Sequence, residues 1–355
     1  MIMNIKDLLQ LTVDHNASDL HFIVGIPPFI RVDGNLSPIS NEEIMDSEMI
    51  NKFAKDILNP EQYERLTVNK EIDFSLAFSE KARFRVNAYT QRGSYALSFR
   101  KIPLEIPKID EMNLPKILHS FTGLKQGFIL VTGPTGHGKS TTIAAILEEI
   151  NTHRNTHIIT IEDPIEFIFK SKQSIISQRE MGSDSHSWQI ALRSVLREDP
   201  DIVLVGEMRD FETIAAAITI AETGHLVFAT LHTNSAAQTI DRIVDVFPEE
   251  QQQQVRLQLS NVIEAVFSMR LIPALGGGRK VAYEVMLGTS AIKTSIRDGK
   301  THQIDNIIQT SQEVGMNTLE MSLAVLVKAG KISLDIAQAY SLRPEELMRL
   351  TRHTK

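Results

Sequence analysis

Cysteine is missing from all 355 residues of the chain. That absence removes disulfide frameworks, thiolate zinc sites, iron–sulfur clusters and cysteine nucleophiles together. Positive charge is also in short supply. Against 44 Asp and Glu stand 37 Lys and Arg, which leaves a formal net charge of −7 and a pI near 5.9. A chain-wide polycation for nucleic acid or anionic lipid is thereby excluded, although a local basic patch is not. No apolar run approaches the roughly 18 residues of a membrane span. The start, Met1-Ile-Met-Asn-Ile-Lys, lacks the basic region and small-residue cleavage site of a signal peptide. The expectation is a soluble, cytoplasmic protein that reaches a membrane only through a partner. Core material, by contrast, is plentiful: 42% hydrophobic residues rule out a disordered chain, and the length suits two domains.

Residues 1–100 read as a small α+β unit. Leu8, Leu9, Leu11 and Val13 suit one face of an opening helix, and Asp19-Leu-His-Phe-Ile-Val suits a strand broken by Gly25. Asp33-Gly34 is a hairpin signal. From Arg83 to Tyr89 the pattern alternates with period two, arginines on one face and apolar residues on the other. Residues 101–116 space three prolines among Lys, Glu and Ile and read as a linker. Beyond it, residues 117–355 change rhythm. Apolar runs at 128–131, 158–161, 202–205 and 226–230 are interleaved with helical patterns such as 141–150 and 211–222. Continuous apolar strands separated by helices imply an α/β fold with a parallel sheet buried on both faces. Gly276-Gly277-Gly278 suggests an edge hairpin, and residues 290–355 read as helical throughout.

Directly after the first of these runs comes Gly133-Pro134-Thr135-Gly136-His137-Gly138-Lys139-Ser140-Thr141, which matches G-x-x-x-x-G-K-[ST]. Glycines let such a loop wrap phosphates, and consecutive backbone N–H groups with the following helix N-terminus make a positive cradle. Lys139 then reaches the β- and γ-phosphates of ATP, and the Ser140 hydroxyl holds Mg²⁺. The other runs also end in polar groups, where ligands of open α/β sheets sit. Glu162, Asp163 and Glu166 follow the second, Glu207, Arg209 and Asp210 the third, and His232, Thr233 and Asn234 the fourth. A carboxylate past the third strand suits Mg²⁺ held through water, another suits activation of the attacking water, and an imidazole suits contact with the γ-phosphate. His225 and His232 stand seven apart across a strand, a spacing that does not suit a shared metal.

One basic segment stands out in this acidic chain. Lys81, Arg83, Arg85, Arg92, Arg100 and Lys101 occur with no acid between them. Three readings fit: arginines reaching a neighbour's γ-phosphate, a nucleic-acid surface with Phe84 and Tyr89, or a solvated strand face.

Taken together, these motifs resemble the secretion ATPase superfamily, and within it the ATPases of type IV pilus retraction. The resemblance runs through Ser18-Asp-Leu-His21, Arg83-Phe-Arg-Val-Asn87, the phosphate loop, Ile161-Glu-Asp-Pro-Ile-Glu166, the segment from Arg197 to Asp210, and Thr223 to Asn234. It implies a RecA-like P-loop core with a smaller N-terminal PAS-like domain, assembled as a homo-hexamer with ATP between subunits. By position it makes Glu207 the Walker B acid that helps hold Mg²⁺, and Glu166 the base for water. It makes His225 and His232 the histidine-motif residues, and Arg85 and Arg100 sensors of ATP across the subunit interface. The partners implied are an inner-membrane pilus platform protein, pilin indirectly and a paralogous retraction ATPase, with no nucleic acid.

Two departures mark this chain. His137 stands where relatives usually carry Ser, at a position expected to contribute mainly backbone. Ala291-Ile-Lys-Thr-Ser-Ile-Arg-Asp298 differs at four of eight positions from the family's C-terminal motif. The same architecture serves pilus-assembly and type II secretion ATPases. Those typically carry an extra N-terminal domain and a four-cysteine zinc element, which the length and the missing cysteines argue against. A weakly hydrolysing, nucleotide-gated accessory subunit and a DNA translocase are the readings from other classes.

Overall fold

Alternation and capping shape the first part of the chain. The computed structural model describes residues 4–32, 34–39, 43–79, 82–102 and 105–352. The expected turn residue Asp33, the basic Lys81 and Pro103 of the linker lie outside the described residues. The chain forms two compact units, Met1–Glu105 with Asp163–Ile168, and Ile106–Glu162 with Phe169–Lys355.

In the first unit, α1 (Ile5–Asp14) begins where the Asn4 side chain accepts the Asp7 N–H. Three strands follow: β1 (Asp19–Phe22), β2 (Phe29–Val32) and β3 (Asn35–Pro38). Then α2 (Ser47–Ile57) is capped by Asp46, and α3 (Pro60–Asn69) starts with an Asn59–Gln62 capping box and proline in its first turn. A meander of β4 (Glu71–Ser79), β5 (Ala82–Gln91) and β6 (Ser94–Ile102) completes an antiparallel sheet of order β3-β2-β1-β6-β5-β4. Along β5 the alternation holds: Phe84, Val86 and Ala88 are buried, while Arg83, Arg85 and Asn87 are only partly so. Phe22, Phe53, Phe84 and Phe99 pack edge-to-face in that core.

The second unit opens with residues 106–117, which do not form a free linker. Ile109 and Leu114 are buried in this unit's core, and Ile106, Met112 and Ile117 pack against it. After α4 (Leu118–Thr122) the elements alternate: β7 (Gly127–Thr132), α5 (Lys139–His153), β8 (His157–Glu162), β9 (Ile175–Glu180), α6 (Trp188–Val195), β10 (Ile202–Val205), α7 (Phe211–Glu222) and β11 (Leu226–Leu231). Next come α8 (Ala236–Asp245), α9 (Glu249–Val262), the hairpin β12 (Ile263–Pro273) and β13 (Arg279–Leu287). The chain ends in α10 (Ser290–Arg297), α11 (Ile304–Thr310), α12 (Leu319–Lys328), α13 (Leu334–Tyr340) and α14 (Pro344–Arg352).

The sheet runs β13-β12-β7-β11-β10-β8-β9, all neighbours parallel except β12 and β13. Every residue of β7, β10 and β11 is buried. Alternate residues feed two cores, Phe128 and Leu130 on one face of β7, Ile129 and Val131 on the other. Sequence pattern missed β9, because its Ile-Ile-Ser-Gln-Arg-Glu has the mixed burial of a sheet edge rather than an apolar run.

Candidate functional site

The parallel sheet brings the carboxyl ends of β7, β11, β10 and β8 to one edge, and the predicted site residues divide by whether they lie there. At the end of β7 the chain enters the loop of residues 133–140. Gly133 has φ 141°, and a Cβ there would run into the Met269 carbonyl oxygen of β12, so only glycine lets the backbone turn away at this point. Gly138 caps α5 and offers the first-turn N–H groups of this 15-residue helix no side-chain acceptor of its own. Aligned with the helix dipole, they favour an anion.

Lys139 is buried, and its ammonium donates to the carbonyls of Gly133 at 2.8 Å and Pro134 at 3.1 Å. Its Nζ also lies 3.3 Å from Nδ1 of His232, at the carboxyl end of β11, and Thr135 Oγ1 lies 3.3 Å from the same nitrogen. On its other side, His232 Nε2 is 2.9 Å from Glu207 Oε1. The donors decide the tautomer: Nε2 carries the hydrogen given to the carboxylate, and Nδ1 accepts from Lys139 and Thr135. Arg209 closes the chain by binding both Glu207 oxygens, at 2.7 and 2.8 Å. Burial pushes the Glu207 carboxyl up, but Arg209 and His232 outweigh it and hold the group below its ordinary value. The Thr230 hydroxyl donates to the Gly206 carbonyl, and Met208 N–H donates to the Thr230 carbonyl, so β11 fixes the segment that carries Glu207.

Ser140 and Thr141 are half-buried in the first turn of α5. His137 has a side-chain role that its position did not suggest. Its Nδ1 accepts the backbone N–H of Leu271 on β12 at 3.0 Å. Glu162 is a further carboxylate at this edge, buried at the end of β8 and accepting from Thr160 at 2.6 Å and Gln178 at 3.3 Å. The sequence offered it only as one of three carboxylates within five residues; its burial could not be read without knowing where β8 ends. Among the described residues no group of three His, Cys, Asp or Glu is placed to cage a metal.

His225 requires a correction. It precedes β11 while His232 follows it, and its carbonyl accepts from Gly127, at the start of β7 rather than at the phosphate loop. The six residues of β11 put it about 20 Å from that loop. Its Nδ1 instead lies 3.0 Å from Thr223 Oγ1 and 3.1 Å from the Ile220 carbonyl. It is not part of its own chain's phosphate site.

Arg85, Arg100 and Glu166 are grouped in the first unit. The register places Arg31, Asp19, Arg100 and Arg85 in one row across β2, β1, β6 and β5. The segment looked acid-free in sequence, but in space Asp73 accepts from Arg85 Nε at 3.0 Å, and Asp19 accepts from Arg100 Nε at 2.9 Å. Asp73 foremost, with Glu166 and Asp163, reinforces the charged state of Arg85. Glu166 Oε1 lies 3.9 Å from Arg85 Nη1, so two residues given separate roles face each other within one chain. Phe84 is fully buried and cannot stack on a base, which removes support from the nucleic-acid reading.

A family model described as type II/IV secretion system protein matches residues 1–301. The type IV pilus retraction ATPase PilT of Pseudomonas aeruginosa is 47% identical over 97% of this chain and 99% of its own. A twitching motility protein of Neisseria gonorrhoeae is 43% identical over 97% of this chain and 92% of its own. Among solved structures, that of the pilus retraction motor PilT with bound ADP superposes with a TM-score of 0.91 at 44% identity, covering 98% of this chain and 99% of that one.

Proposed function

The chain belongs to the type II/IV secretion system protein family, and from that membership we propose that it is an ATPase that drives retraction of type IV pili. The observation that carries this reading is the hydrogen-bonded chain from Lys139 through His232 to Glu207 and Arg209, which ties the phosphate loop to two further strand ends. Both full-length relatives named above are described by pilus retraction or twitching, and the bound ADP of the solved retraction motor supports an adenine nucleotide.

In this reading the phosphates of ATP lie in the cradle of residues 133–140. Lys139 exchanges the carbonyls of Gly133 and Pro134 for β- and γ-phosphate oxygens. Nδ1 of His232 thereby loses one of its two donors and keeps only Thr135, so occupancy of the loop is passed to Glu207 and Arg209. A Mg²⁺ ion, when bound, neutralises charge on the phosphates; Ser140 would hold it, with Glu207 acting through water because Arg209 and His232 already occupy both its oxygens. Glu166 is the base proposed for the attacking water. We place the protein in a homo-hexamer in which Arg85 and Arg100 meet the nucleotide of a neighbouring subunit, docked from the cytoplasm on an inner-membrane platform. Among the described residues no helix is long and apolar enough to cross a membrane, in keeping with such docking.

Two measurements test the reading. The purified chain should hydrolyse ATP, and Lys139→Ala should reduce turnover to background. A deletion strain should be hyperpiliated and non-motile; bald cells would instead mark an assembly ATPase, and unaltered turnover in Lys139→Ala would overturn the phosphate-loop assignment.

A further inference from the structure

The parallel ladder between β7 and β12 ends at Thr132 opposite Ser268, because β7 gives way to the phosphate loop. Strand β12 continues to Pro273, so its edge toward β7 carries backbone groups that no strand can meet. Loop atoms take their place. Gly133 packs against the Met269 carbonyl, and two residues further on, at the next position of the same parity, the Leu271 N–H is accepted by His137 Nδ1 at 3.0 Å. A side chain of the phosphate loop thus extends the sheet where the backbone no longer does.

We propose that His137 is a positioning residue, which fixes the phosphate loop in its nucleotide-binding shape by anchoring it to β12 through the Leu271 N–H. The proposal rests on the nucleotide-binding reading and adds a residue that acts through the loop rather than on the phosphates. The anchor requires a lone pair on Nδ1, so it exists only in neutral His137. Three cations face the ring: Arg270 from β12, Arg279 from β13 and Lys139 from α5. Arg279 also reaches the Gly136 carbonyl of the loop, at 3.5 Å. Burial first, and then these three charges, lower the His137 pKa and keep the ring neutral at physiological pH. Acidification through that depressed pKa turns Nδ1 into a donor facing a donor, and the anchor is lost. A serine side chain at this position would be too short to reach the Leu271 N–H in the same way.

The test is MgADP affinity of the full chain, measured by calorimetry at pH 8 and at an acid pH below the NMR-titrated His137 pKa, for the wild type, His137→Asn and His137→Phe. Asparagine keeps an acceptor at the same atom position and does not titrate; phenylalanine keeps the ring and loses the acceptor. At pH 8, His137→Phe should bind roughly three- to tenfold more weakly, the range expected for one net hydrogen bond, while His137→Asn matches the wild type. Below the depressed His137 pKa, located by NMR titration of its imidazole, the wild type should fall behind His137→Asn, a comparison in which the nucleotide's own titration cancels. The proposal is overturned by a His137→Phe affinity equal to wild type, by Asn behaving like Phe, or by wild-type affinity rising over Asn in acid, which would mean that imidazolium charge binds phosphate directly. Failure of the wild type to bind MgADP at all would refute the nucleotide reading instead.

Discussion

Glu284 of β13 offers a measurable pH dependence of stability. Its side chain is 2% exposed and accepts the N–H of Ala236, at the start of α8, at 2.6 Å. Burial, with Asp305 and Glu320 adding to it, pushes its pKa up to about 7, against the opposing pull of the Ala236 hydrogen bond and Arg343. A raised folded-state pKa means that the native protein holds a proton that the unfolded chain has released. Between the unfolded value near 4.5 and the folded value near 7 the native state therefore binds more protons, and stability falls as pH rises. The contribution is fully present below about 4.5 and wholly lost above about 7. At 1.36 kcal/mol per unit the swing is about 3 kcal/mol. Glu284→Gln keeps an acceptor for Ala236 and cannot ionise. Urea unfolding should be followed through Trp188, the only tryptophan, which packs against the core beneath the sheet. The mutant's stability relative to wild type should be about 3 kcal/mol higher at pH 8.5 than at pH 4.5. A difference that does not change with pH would refute a native-state proton on Glu284.

Other perturbations bear on the site. Gly133→Ala forces a side chain into φ 141° and against Met269, so it should cost at least about 1–3 kcal/mol in the same unfolding assay and weaken nucleotide binding. Arg209→Ala removes the main partner that holds Glu207 below its ordinary pKa, so the acid limb of the ATPase pH profile should move to higher pH; an unmoved limb would detach Arg209 from Glu207 function. Arg100→Ala should lower turnover while leaving single-subunit nucleotide binding nearly intact. Its side chain is 74% exposed, so the lost pairing with Asp19 should cost no more than about 1 kcal/mol of stability. Equal loss of turnover and binding would count against a role across the ring.

Signals that depend on neighbours in sequence were legible before the structure. The β10 run at 202–205 and the helix at 211–222 coincide with observed elements, since continuous apolar strands and a capped helix carry their own pattern. The phosphate loop was equally plain. Signals that depend on three-dimensional register were not. The sequence already put a strand between His225 and His232, but which of the two meets Lys139 depends on where the neighbouring strands end. Arg85 and Arg100 stand 15 residues apart and become direct cross-strand partners only when β5 and β6 pair. His137 looked like a spacer because its partner, Leu271, comes 134 residues later.

The short excursion of Asp163–Ile168 has a topological consequence. The chain leaves the second unit after Glu162, contributes six residues to the first, and returns at Phe169. The first unit is thus made of two pieces of chain, one of them carried by the other unit's sequence. Residues 1–105 alone therefore lack six residues of their own unit, among them Glu166, which faces Arg85.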